Sequence, residues 1–121
     1  MALLHDAVLD AALNLIVSNG TRLDICTSEP ANYGAIAAVS CGNKTSISIG
    51  APADRAGGGR EITVAAITGG TCTANATATH FVIHNGSNAI YATGSLSSSQ
   101  AVVAGATFSL ASFKIGIPDP A

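Results

Sequence analysis

Charge is what this chain has least of. Asp, Glu, Lys and Arg make up only 10% of its 121 residues, with five cations, seven acidic groups and a formal net charge of -2. A typical soluble domain carries about 25%. Ala, Ser, Thr and Gly stand where charge would be. So weakly charged a surface is poorly protected against self-association, which points to a surface covered by neighbours in an assembly. A neutral monomer coated with Thr and Ser is the plainer alternative. The five cations, Arg22, Lys44, Arg55, Arg60 and Lys114, form no basic run. The counterion release that drives nucleic-acid binding is therefore small, and no nucleic-acid partner is expected. No apolar run approaches the roughly 18 residues of a membrane-spanning helix, so no membrane partner is expected either. Nor is a secretory signal expected: the opening MALLHDAVLDAALNLIV lacks a basic start, and Asp6 and Asp10 interrupt it.

Aromatics are scarce as well: no Trp, two Tyr and three Phe. That leaves little to stack on a sugar and weighs against a glycan-recognition surface. The three cysteines, Cys26, Cys41 and Cys72, are odd in number and show no CxxC spacing. A fully paired intrachain framework is thereby excluded, and a zinc site is disfavoured. Buried free thiols are the first reading, with one intermolecular disulfide as the alternative.

What is present divides the chain in two, an N-terminal helix over residues 1–20 and a single β-sandwich domain over 21–121. Leu4, Val8, Ala12, Leu15 and Ile16 recur at helical spacing, and Leu9 and Leu13 widen the apolar face. Asp6, Asp10, Asn14 and Ser18 form one narrow polar stripe, and Asn19-Gly20 supplies residues that tolerate a left-handed stop. So broad an apolar face needs burial on most sides, against a sheet, a neighbouring subunit, or both. From Gly20 onward everything reads as β. Strands are expected at 21–27, 44–49, 60–67, 77–84, 89–94 and 107–116, with weaker ones near 35–40, 70–74 and 101–104. Short strands between Gly-rich turns predict a mainly β fold, a two-sheet sandwich or small barrel with one N-terminal α-helix. EPANYG reads as a turn. APADRAGGG reads as a long flexible connection bracketed by Arg55 and Arg60, its glycines free to adopt unusual backbone angles.

No pattern carries chemistry. The segment ATHFVIHNGSNAIYATGSL is a hairpin with an Asn-Gly signal. His80 and His84 share one strand face, but i and i+4 in a strand stand about 13 Å apart. Two ligands of one zinc ion lie within about 4 Å, so this pair does not hold a metal. Both histidines read as ordinary polar-face residues, with Phe81 and Ile83 as core. There is no GxSxG elbow, and the serines sit in turns such as GSLSSSQ. The RAGGGR glycines do not match a phosphate-binding loop. No enzymatic activity and no cofactor are expected.

The order of features resembles a group of small structural proteins of tailed bacteriophages and prophages. A short helix is followed by a strand ending in TSEP-like residues (RLDICTSEP). A Gly-rich stretch precedes a strand (DRAGGGREITV), and a Thr-His-aromatic strand runs into a hairpin (ATHFVIHNGSNAIYATGSL). A closing V..G.TF.L segment completes the pattern (VVAGATFSLASFKIGI). The resemblance covers nearly the whole chain and rests on turns and strands rather than a catalytic signature. The three cysteines, and His84 where others often carry Asp, depart from it. It implies a capsid decoration (cement) protein on the outer capsid surface of the virion. Its partners would be the major capsid protein and copies of itself, with a trimer expected. A tail, collar or fibre module with a receptor-binding role is the alternative. Contacts are expected from Leu4, Val8 and Leu15 on the helix. Arg55 and Arg60 join them because they can reach acidic groups on a neighbour.

Overall fold

The computed structural model describes residues 4–119. Residues 1–3 of the expected helix and residues 120–121 of the expected tail lie outside the described residues. The first element is helix α1, Asp6–Asn19. His5 caps its start through an Nδ1 that accepts from the Ala7 N–H at 3.1 Å, and the Asn19 amide donates to the Leu15 carbonyl at its end. The stop is not left-handed, because Gly20 has φ of -78°. Glycine is needed there for closeness instead: a Cβ would lie 2.7 Å from the Ile16 carbonyl oxygen and 2.8 Å from Ile83 Cγ2.

Among the described residues nine strands follow: β1 (Arg22–Cys26), β2 (Ser40–Thr45), β3 (Ala53–Asp54), β4 (Arg60–Val64), β5 (Ile67–Cys72), β6 (Ala76–His84), β7 (Ile90–Val102), β8 (Thr107–Leu110) and β9 (Phe113–Ile117). Six form one antiparallel sheet in the order β7-β6-β1-β2-β5-β8, and three form another in the order β3-β4-β9. The fold is mainly β with one N-terminal helix, and the larger sheet curls into a half-barrel. One ribbon joins the two sheets. Val64 pairs with Phe113 in one, and Ile67 with Leu110 in the other, so the register runs unbroken past Ala65-Ala66 and Ala111-Ser112. The strands bend there and change sheets, which makes the corner of the fold.

Leu23, Ile25, Ile83, Val64 and Phe108 meet in the main core. Helix α1 packs on β4 and inserts Leu9 and Leu13, both buried, while Ile16 reaches the main core. The outer face of β1 is covered too. Tyr33–Ala35 form a 3-10 turn that leads into a short helix α2, Ile36–Val39. This segment lays Ile36 over Cys26 and Val82 in a second cluster.

The strand expected near 35–40 is therefore largely helical. Asn32 accepts from the Ala35 N–H and starts the turn, and the Ala-rich run that follows favours helix over strand. The strand expected at 44–49 also ends early. Ser46 takes a positive φ of 58°, and Ile49 keeps a single bridge to Val64. The alternation of Ile47 and Ile49 still reports an inward face, since both pack on the core.

Candidate functional site

The residues expected to make contacts fall on two features with opposite characters. On the helix side, Leu4, Val8 and Leu15 are 41%, 56% and 53% exposed, and Val103 is the other large exposed apolar residue in the described chain. The helix thus has two apolar faces. One, Leu9 and Leu13, is consumed by its own sheet. The other runs through Val8, Ala11, Leu15 and Ser18, alternately three and four residues apart, the spacing of a seam between helices, with Leu4 just ahead of the helix start rather than on it as expected. Its flanks, His5, Ala7, Ala12 and Asn14, carry no acidic or cationic Lys or Arg side chain that would repel a copy of itself.

The arginines behave differently from expectation. Arg60 does not face outward toward a neighbour, because two carboxylates of its own chain occupy it. Its Nε and Nη2 grip Asp10 at 2.8 and 3.2 Å, Nη1 donates to Asp54 at 2.6 Å, and Nη2 also reaches the Pro52 carbonyl. Its side chain is only 17% exposed. Hydrogen bonding to Asp10, then to Asp54, holds the guanidinium pKa above its ordinary range. Asp10 accordingly leaves the solvent stripe of α1 and clamps the helix to β4. Arg55 is half-buried: Nη1 donates to the Gly58 carbonyl, and its Cδ closes on Gly116. The loop between them is an ordered hairpin joining β3 to β4, with Gly57, Gly58 and Gly59 all at positive φ.

The second feature is polar and buried. His84, expected to be an ordinary polar-face residue, is 4% exposed, and Asp24 is 8% exposed. Both lie under the segment that covers the outer face of β1. His84 Nε2 lies 2.8 Å from Asp24 Oδ1, and the Ser40 hydroxyl donates to Asp24 Oδ2 at 2.7 Å. His84 Nδ1 accepts from the Gly86 N–H at 3.0 Å, which assigns the imidazole proton to Nε2. The Tyr33 ring stands edge-on to it, with centroids 5.6 Å apart.

Serine, aspartate and histidine do converge here, but in the wrong order for a nucleophile. The hydroxyl is bonded to the carboxylate, and the imidazole lone pair is taken by a backbone N–H, so no base faces the serine. The arrangement pins the hairpin loop to β1 and β2. In that loop Asn85 Oδ1 accepts from the N–H groups of Ser87, Asn88 and Ala89. His80, at the middle of β6, is held by Thr79 and Ser95. Among the described residues no group of three or more His, Cys, Asp or Glu stands together to hold a metal ion. Cys26, Cys41 and Cys72 are free and buried, and none can reach a partner without opening the fold. Burial, then Asp24, then Cys41 push the Cys26 thiol up to about 12.

A third feature had no signal in motif or spacing. A groove of about 510 Å³ opens between β7 on one side and the β8–β9 segment on the other. Phe81, Leu96, Leu110 and Phe113 give it an apolar floor, and Ser95, Ser97 and Ser112 lie along its rim. No helix of the described residues is long and apolar enough to cross a membrane. The fold and these features define a mainly β chain with two open surfaces, a helix stripe and a seam, and one buried polar staple. No protein-family model, curated protein or solved structure matches the chain.

Proposed function

We propose that this chain is a non-catalytic structural subunit that assembles with copies of itself through α1 and decorates the outer capsid surface of a tailed-phage head. The observation that carries the assembly is the second apolar stripe of α1, Val8 and Leu15 with Leu4 just ahead of the helix, left in water by a helix whose opposite face is already buried. The trimer rests on the resemblance, and small Ala7, Ala11 and Ala12 beside the larger side chains let helices approach closely. The virion setting, with the major capsid protein as partner, rests on the resemblance of the turn and strand order. Low charge supports it, and modest contacts repeated across a lattice would suffice, since effective concentration multiplies weak pairwise affinity. The test is the number of copies in purified particles. Hundreds per particle, with earlier bursting on heating when the protein is depleted, is the expected result. Six or twelve copies, with normal heads that fail to adsorb to cells, would replace the shell with a tail, collar or fibre module.

A further inference from the structure

The curled sheet does not close, and the gap has an unusual construction. Strand β7 ends the six-stranded sheet on one side and β8 ends it on the other, while β9, which continues β8, ends the three-stranded sheet. Both walls of the groove are therefore strand edges. Among the described residues no backbone hydrogen bond joins β7 to β8 or β9. One side chain bridges them, the Gln100 amide donating to the Ser109 carbonyl at 3.2 Å. Beneath the gap the rings of Phe81 and Phe113 lie 4.5 Å apart. Gly94, in the β7 wall, leaves the backbone bare where a Cβ would come within 2.7 Å of the Phe81 ring.

We propose that this seam receives an extended, uncharged segment of a partner protein, which adds as a strand between β7 and β8–β9. Three observations point to that occupant. The first is hydrogen-bond valence. Two facing edges present N–H and C=O groups at strand repeat, and an extended backbone is the ligand that matches both. An acyl chain would cover the Phe81 floor and leave both edges unpaired, at the cost of desolvated polar groups.

The second is charge. No Asp, Glu, Lys, Arg or His occurs between His84 and Lys114, a run that includes all of β7 and β8. Free edges are ordinarily guarded by Lys, Pro or a covering element. The thirteen-residue β7 has none of these guards in its sequence. Lys114, at the end of the groove, is tied to Glu61 at 3.2 Å. The walls therefore take a segment without charge, with apolar side chains at alternate positions aimed at Phe81 and Phe113.

The third is size. A strand in a packed sheet occupies roughly 160 Å³ per residue, from a rise of about 3.3 Å, a strand spacing of about 4.8 Å and a layer of about 10 Å. A groove of about 510 Å³ accordingly seats about three residues, with the rest of the segment running along the edges. Such a slot excludes β7 of a second copy, which arrives attached to its own β6. The donor is a free arm or loop. This surface is separate from the α1 stripe, and the inference stands whether or not the partner is a capsid protein.

The probe is a blocked heptapeptide of alternating Thr and Val, added to the isotope-labelled full chain and followed by NMR and amide hydrogen exchange. Amides of residues 93–98 and 110–115 are expected to shift and to exchange about tenfold more slowly. The same peptide with alternate N-methylated residues is expected to protect one edge only. Ser97→Lys and Ser112→Lys, both on exposed positions, are expected to abolish the effect without lowering the melting temperature. Absence of protection at millimolar peptide overturns the proposal. So does displacement of the peptide by palmitate with no amide protection of its own, which would make the seam a small-ligand pocket. Concentration-dependent protection of the same amides without peptide would give the edge to a second copy and overturn it equally.

Discussion

Replacing Val8 and Leu15 together by Gln isolates the proposed assembly surface from the fold. Both side chains point into water in the single chain, at 56% and 53% exposure. Gln is at least as good a helix former as Val and close to Leu, so α1 itself should not weaken. Complete burial of such a side chain is worth about 1.5–3 kcal/mol, so covering the exposed half of each contributes about 1 kcal/mol, or about 2 kcal/mol per chain. Three chains in a trimer lose about 6 kcal/mol, about four orders of magnitude in the association constant. Sedimentation equilibrium over a wide concentration range reads that shift directly, with thermal melting of the monomer as the control for fold. Leu13→Ala gives the contrast: it empties a buried site, costs about 2–5 kcal/mol of stability and leaves the stripe intact. If the wild-type chain is monomeric at high concentration, or the double variant associates as tightly as the parent, the stripe is not the contact surface. If the double variant loses stability like Leu13→Ala, the two faces of α1 have been assigned the wrong way round.

Three further outcomes follow from the buried groups. His84→Ala removes a hydrogen-bond partner from Asp24 and the acceptor of the Gly86 N–H, and is expected to cost roughly 3 kcal/mol in denaturant unfolding. Combined with Asp24→Ala it should be clearly non-additive, because the second change removes the group the first left stranded; simple additivity would mean the two act separately. Arg60→Gln and Arg60→Lys are both expected to lower the melting temperature, since neither keeps the fork that holds Asp10 and Asp54 at once; an unchanged melt would show that the clamp on α1 contributes nothing. Cys26 bears on alkaline stability. Its folded pKa is raised from 9.0 to about 12, so its contribution is complete below about 9 and is lost as pH rises toward 12. Native thiols should resist a disulfide reagent near pH 8, and Cys26→Ala should flatten the alkaline loss; rapid labelling of the folded chain would contradict the burial.

Much of the fold was legible because local pattern and final environment agree. Strands β1 and β6 lie where they were expected, at 21–27 and 77–84, and Asn85-Gly86 does mark a hairpin, though with a five-residue loop ordered by the Asn85 side chain. The misses share a physical cause, a decision taken by distant residues. Residues 35–40 become mostly helical because the outer face of β1 needs a cover, and Ile36 supplies it. The TSISI run leaves its strand because it must pass from one sheet to the other. Gly20 marks a close approach to Ile83, fixed by residues more than sixty positions away. The partners of Arg60 and His84 were equally out of reach, since Asp10 lies fifty residues from Arg60 and Asp24 sixty from His84. The exposed residues Leu4, Val8 and Leu15 were named from the sequence as contacts, but within one broad apolar face that also held Leu9, Leu13 and Ile16. Which half would be buried depended on β4.

The scarcity of charge can now be placed on the molecule. Where charge occurs inside the fold it is largely committed: Arg60 to α1 and β3, Asp24 to His84, Glu61 to Lys114. Where a surface remains unfilled it is bare. The α1 stripe has no charged member, and both β7 and β8 lie in a run without any charged side chain. The neutral residues include a helix face with heptad spacing and two strand edges that face one another, surfaces whose burial would be opposed by charge. Because these surfaces lie on different elements, filling one does not consume the other. Helices can join copies of the chain while the seam still accepts a strand from outside, and an assembly built in those two steps would leave few uncharged surfaces in contact with water.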